Sequence, residues 1–384
     1  MKHFPFFIRR YTNKVMTGVN GMKIAFIIVG VCFVIGIGVI VAARHYLTKE
    51  DPEYLLNYLK KHHNSSLTVS RNGQTVTAIR ENNMFPLAST VKIIIAIEYA
   101  KQCDEGKIDP SKKVSLEQLD QYYIPNTDGE AHETWIDYSK GEGLLREGST
   151  TLENVVKGMI LFSSNANTEY MMNLLGIENI NKVLIELKMD QHEHLYPISS
   201  AMLIPAYLKN EYPAYSEKQI ENKLREMSNE EYIDHSHRIF TSLTKGEKHI
   251  YIENSHSDKS LQKIWSDRLT KSTTAEYAEI MRKLNSKTYF SIGTQERLDA
   301  VMEGMMENPK NQEWLMHAGK KGGSTLFVAT NAAYATDRDG NSTEIVFFAN
   351  DLEEVERQKI LNNLNGFNLK ILRDEDFRKK LEEL

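Results

Sequence analysis

Residues 66–80 read SLTVSRNGQTVTAIR, two β-rich runs, 66–70 and 74–80, that flank Arg71-Asn72-Gly73. Asn-Gly tolerates the positive φ angles of a two-residue turn, so the stretch is a hairpin. Outward from it, residues 82–88 are turn-like, with Pro86 disfavouring helix at Phe85. Residues 90–103 then run through Val, Ile, Ala and Tyr, apolar on nearly every side, which predicts a buried helix. Near the other end, 325–336 and 343–350 form a second hairpin around Asp339-Gly340-Asn341, followed by mostly helical sequence. The middle, from about 115 to 310, is helical and loop-rich. Strands at both ends with helices between predict an α/β (α+β) fold: an antiparallel sheet formed by N- and C-terminal strands and flanked by helices, with an all-helical lobe inserted.

With 384 residues, 41% hydrophobic and 26% charged, there is ample material for a large core, and a formal net charge of −5 gives no reason to expect a nucleic-acid surface. Residues 24–43 are twenty residues without a charge, enough to cross a hydrocarbon core about 30 Å thick as a helix. Lys2, Arg9, Arg10, Lys14 and Lys23 precede them with no acidic residue, which places 1–23 in the cytoplasm and everything after Arg44 outside. A signal peptide cleaved after Ala43 is the alternative, and the length favours a single-pass anchor. A polar tether over 44–60 then leads to one exported domain over 61–384. Cys32 lies in the apolar segment and Cys103 after a helix, so no disulfide joins them.

Ser89-Thr90-Val91-Lys92 opens the buried helix. Residues three apart share a helix face, so the Lys92 amine can reach the Ser89 hydroxyl, and burial lowers a lysine pKa towards that of a base. The same spacing recurs at Ser242 to Lys245 and Ser260 to Lys263, both in polar stretches that favour solvated surface. Ser163-Ser164-Asn165 follows a helix-like run over 151–162, introduced by Ser149-Thr150 with Glu153 set for a capping box. Alone it reads as a polar turn. Lys320-Lys321-Gly322-Gly323-Ser324-Thr325 leads into the C-terminal hairpin. Two glycines there mark close backbone approach or a bulge, beside an amine available to an anion.

Together and in this order the three elements resemble the motif set of serine β-lactamases and penicillin-binding proteins, Ser-x-x-Lys, Ser-x-Asn and Lys-Thr-Gly. The resemblance covers most of the chain from about Ser66, and 85–106, 151–176 and 272–301 look like the corresponding helices of class A β-lactamases. It implies Ser89 as acylated nucleophile, Lys92 as its base, Ser163 as proton shuttle, Asn165 as a contact for the substrate amide and Lys321 as partner of its carboxylate. The backbone amides of Ser89 and Ser324, beside Gly323, would form the oxyanion hole. It also implies a β-lactam or peptidoglycan stem peptide as substrate, no cofactor, a bacterial cell membrane as support, and a monomer.

Three departures stand out. Ser164 replaces the usual acid of the second motif. The third reads Lys-Gly-Gly from Lys321, or Lys-Lys-Gly from Lys320, and the Lys321 register keeps a small residue in the middle. No Arg-x-Glu-x-x-Leu-Asn loop is present; Glu193 in Gln191-His192-Glu193-His194 is the only substitute near the expected place, and residues 209–270 look like a polar, helical insertion. His192 with His194, and His235 with His237, lack the further ligands of a zinc site, so no metal is expected. Tyr122 to Gly129 reads as either a cleft-lining loop or an exposed aromatic turn. Three functions follow: a β-lactamase, a D-Ala-D-Ala peptidase or transpeptidase of the wall, or a sensor without turnover.

Overall fold

In a computed structural model, which describes residues 49–252 and 258–384, the Asn72-Gly73 turn joins β1 (Ser65–Arg71) to β2 (Gln74–Ile79), with φ of 52° and 75° at its two residues. Three further strands, β3 (Leu315–Ser324), β4 (Ala329–Asp337) and β5 (Ser342–Ala349), form a meander. The five make one antiparallel sheet in the order β2-β1-β5-β4-β3, in which Ser65 pairs with Ala349 and Arg71 with Thr343.

Alternation along β5 explains how the layers are held. Ile345 and Phe347 point into a core shared with α1 (Glu53–Lys61), α6 (Glu354–Arg373) and α7 (Glu375–Glu382), through Leu55, Leu59, Ile360, Phe367 and Phe377. Val346 and Phe348 point the other way, into the main core with Tyr277, Met281 and Leu284 of α4 (Thr274–Ser286). A strand covered on both faces needs a continuous apolar run, and each such side chain contributes roughly 1.5–3 kcal/mol by burial. The main core continues through α2 (Lys92–Asp104), α3 (Asn165–Leu175) and α5 (Ile292–Met302) into the helical lobe. Its helices include Glu217–Glu226, Asn229–Thr244 and Lys259–Asp267, which fall within the expected insertion.

The sheet between the two chain ends and the inserted helical lobe are as the sequence predicts, and several boundaries differ. Residues 315–324 are a strand, whereas 325–328 are not. The Lys-Lys-Gly-Gly run has low strand propensity and is held extended by its pairing with β4. The helix after 151 is capped by Thr151, whose side chain accepts from the Asn154 N–H; Ser149–Thr151 is a short strand, and Glu153 completes no capping box. Residues 53–60, expected within the tether, fold with Lys61 as α1 onto the sheet because Leu55, Leu56, Tyr58 and Leu59 form an apolar face. The chain divides into Met1–Asp51 and Pro52–Leu384, and every described element lies in the second unit. The cytoplasmic segment 1–23 and the membrane span 24–43 lie outside the described residues. Among the described residues no helix is long and apolar enough to cross a membrane. Cys103 is a free, half-buried thiol.

Candidate active site

Ser89 lies in a 3₁₀ turn, Ala88–Val91, that leads into α2. Ala88 before it has φ +45°, a left-handed conformation that costs a non-glycine residue free energy and is concentrated at functional sites. Lys92 is fully buried. Its amine donates to the Ser163 carbonyl oxygen (2.6 Å), to Asn165 Oδ1 (2.9 Å) and, at 3.3 Å, to Ser163 Oγ. Burial, followed by the charge of Lys321, holds this amine well below the usual lysine range. No hydrogen bond joins it to the Ser89 hydroxyl.

The second motif is placed by an irregular helix end. Residues Gly158–Phe162 widen into a π turn, and Ser163 closes it with φ +73°. Ser164 then caps α3, accepting from the Asn167 N–H at 3.2 Å, and its hydroxyl meets His132 Nδ1 at 2.8 Å. Capping needs only a side-chain oxygen, which serine supplies as well as an acid does. Asn165, the first residue of α3, thereby faces Lys92.

Strand β3 supplies the opposite wall. Side chains alternate along it, so Lys321 and Gly323 turn inward. Lys321 Nζ donates to Ser163 Oγ at 3.0 Å. Burial, then the charge of Lys320, brings Lys321 down to about 7. Lys320 turns to Asn365 of α6 at 2.8 Å. A Cβ on Gly323 would stand 2.6 Å from the Ser89 backbone nitrogen and 2.8 Å from the Leu87 carbonyl oxygen, which measures how closely β3 approaches the serine. Ser89, Ser163, Asn165, Gly323 and Ser324 all line one cleft of about 1120 Å³.

Other candidates lie elsewhere. Glu193 is exposed and its carboxylate accepts from the Lys271 backbone N–H at 2.9 Å; it does not line the cleft. Ser260 bonds to Glu221 and Ser242 to Glu247, so neither engages the lysine three residues on. His194 and His237, one from each histidine pair, line a second cavity of about 710 Å³. Among the described residues no group of three metal-ligating side chains occurs.

Of the 122–129 loop, residues 125–129 line the cleft, Asp128 among them, so the cleft-lining reading of that loop is the one observed. Two further residues escaped the sequence reading. Arg357 lines the cleft from α6. Glu169, one turn beyond Asn165 on α3, is buried beneath the 198–200 loop. Its carboxylate accepts from the Ser200 N–H (2.5 Å) and hydroxyl (2.6 Å), and burial lifts it to about 7. Its spacing from Asn165 was the one available signal.

A sheet strand laid against a serine at the head of a buried helix, with two lysines meeting at a second serine, defines a serine hydrolase of the β-lactamase and penicillin-binding superfamily. The chain belongs to the Beta-lactamase enzyme family, whose sequence model matches residues 53–364. No curated protein matches it. Among solved structures it is similar to a β-lactamase from Sphaerobacter thermophilus DSM 20745, at 17% identity and TM-score 0.52, covering 83% of this chain and 97% of that one. It is also similar to a β-lactamase from Chitinophaga pinensis DSM 2588, at 15% identity and TM-score 0.50, covering 83% and 98%. At these identities the likeness is one of fold.

Proposed function

We propose that the protein forms an acyl-enzyme on Ser89 with β-lactams and with peptidoglycan stem peptides, and hydrolyses it slowly. The observation that carries this reading is the meeting of Lys92 and Lys321 at Ser163, with β3 held against the Ser89 amide. Neutral Lys92 takes the Ser89 proton as Oγ attacks the carbonyl carbon. The Ser89 and Ser324 amides hold the oxyanion. The proton then passes from Lys92 through Ser163 Oγ to the departing nitrogen, and the C–N bond breaks to leave the ester. Asn165 holds the substrate amide and Lys321 its carboxylate. Hydrolysing the ester needs a second base over a water, worth typically 10²–10⁴-fold; Glu193 is tied to the Lys271 backbone and Glu169 to Ser200. That favours a peptidase trapped by penicillin over a fast β-lactamase. A membrane anchor over 24–43 would hold the domain at the outer face of the cell membrane as a monomer.

Fluorescent penicillin should label the protein covalently, and Ser89→Ala should abolish labelling. Labelling that survives the substitution, or that moves to Ser242 or Ser260, sinks the assignment.

A further inference from the structure

The charges of the cleft are segregated. On the helical wall, Asp128 is the carboxylate that lines it, set in a loop in which Asn126 and Gly129 both have positive φ. Asp128 Oδ1 accepts from the Ala131 N–H at 3.2 Å and Oδ2 from the Asn165 N–H at 3.3 Å. These two bonds fix its direction and leave acceptor capacity, since a carboxylate offers about four lone-pair sites. No lysine, arginine or histidine among the described residues forms an ion pair with it. Lys92 feels its charge, yet that amine is already committed to Ser163 and Asn165.

The sheet wall carries the opposite sign. Lys321 lies beside Ser163, Lys320 lines the cleft, and so does Arg357, whose Nε is buried without a partner. Arg357 has no carboxylate partner among the described residues either. A carboxylate outside any ion pair and cations outside any ion pair therefore line the same cleft as Ser89. Segregation of this kind selects ligands whose own charges run the opposite way.

We propose that Asp128 is an ammonium-recognition site, and that the preferred acyl donor carries a free amine on the acyl side of the bond presented to Ser89 and a carboxylate on the leaving side. The side follows from Asn165, which shares its backbone N–H with Asp128 and, in the proposed function on which this inference rests, holds the substrate amide. A stem peptide whose diamino-acid side chain is uncrosslinked has this pattern; a penicillin with a neutral acyl group has only the carboxylate half.

The test uses the full chain and three penicillins that differ only in the acyl group: 5-aminopentanoyl, its N-acetyl derivative, and hexanoyl, in which a methyl replaces the ammonium. An alkyl amine with a pKa near 10.4 is fully charged at pH 7. Second-order acylation constants are read from intact mass at low ionic strength, where screening is least. The aminopentanoyl compound should acylate about fivefold faster than either neutral one, the factor expected of roughly 1 kcal/mol from an ion pair at a partly exposed site. Asp128→Asn should bring that ratio to about one, whatever it does to the rates in common. If the asparagine variant does not fold, Asp128→Ser, which keeps an acceptor for the Ala131 N–H, reads the same ratio. Equal rates in the native protein, or a preference that survives both variants, overturn the inference alone. Failure of all three compounds to acylate Ser89 overturns the acyl-transfer reading and the inference with it.

Discussion

Replacing Gly323 by alanine tests the close approach of β3 to the Ser89 turn. The new Cβ would lie 2.6 Å from the Ser89 nitrogen, 2.6 Å from Thr330 Oγ1 and 2.8 Å from the Leu87 carbonyl oxygen. Ordinary contact begins near 3.4 Å, so the strand and the serine turn must part by about 0.8 Å. Two of the three atoms are backbone. The third is held by bonds to Leu87 O (2.9 Å) and Thr90 (2.7 Å), so no side-chain rotation relieves the clash. Overpacking of this kind costs about 1–3 kcal/mol, and a misplacement near 1 Å costs about 10²-fold in rate. Gly322 is the internal control, because its Cβ would meet only the Thr330 carbonyl oxygen, at 3.5 Å. Stopped-flow acylation by a fluorescent penicillin, with thermal melts followed by circular dichroism, should show Gly323→Ala slowed by about 100-fold and melting a few degrees lower. Gly322→Ala should stay within about threefold, roughly 0.6–0.7 kcal/mol. Equal acylation by the two variants would refute the idea that β3 must touch the serine turn.

Three further outcomes follow from the same geometry. The acylation constant of the free enzyme should fall near pH 7 as Lys321 loses its proton; Lys321→Arg should extend the plateau to higher pH, and an unmoved alkaline limb would exclude Lys321 as its cause. Burial raises Glu169 from 4.5 to about 7, so between those values the folded state keeps a proton that the unfolded chain has released, and stability should decline as pH rises through that window; denaturant midpoints of Glu169→Gln should lack this decline. The penicilloyl adduct on intact protein should persist for many minutes after excess penicillin is removed, and Glu193→Gln should leave its decay unchanged within about twofold, since that carboxylate serves the Lys271 backbone; rapid decay lost in the variant would make Glu193 the base.

The hairpin at Asn72-Gly73 and the helix from Lys92 were legible because turn chemistry and unbroken apolarity are local signals. Strand β3 was not, because glycines and lysines reveal nothing of the partner that holds them extended. The inward register of Lys321 follows from strand alternation once that strand is known, whereas the engagement of Lys92 with Ser163 depends on the π turn and its left-handed end, which no residue pattern announced. Glu169 looked like any polar residue on a helix, since its burial depends on the 198–200 loop folding over it. Arg357 is brought to the cleft by the sheet order, which sets α6 beside a strand more than thirty residues earlier.

The pairing of β1 with β5 has a consequence for how the domain is made. Ser65 waits for Ala349, so the first hairpin to emerge presents an open edge until nearly the whole chain has been delivered. Long-range closure of this kind slows folding and leaves strands exposed to wrong partners. The ends of the folded unit meet, since Lys380 on α7 reaches Glu53 on α1 at 2.5 Å. A short linker between them, with new ends opened at the exposed Lys245-Gly246 turn, would let the central strands pair as neighbours in time as well as in space. Such a permutant should refold faster than the native order while binding the same penicillins.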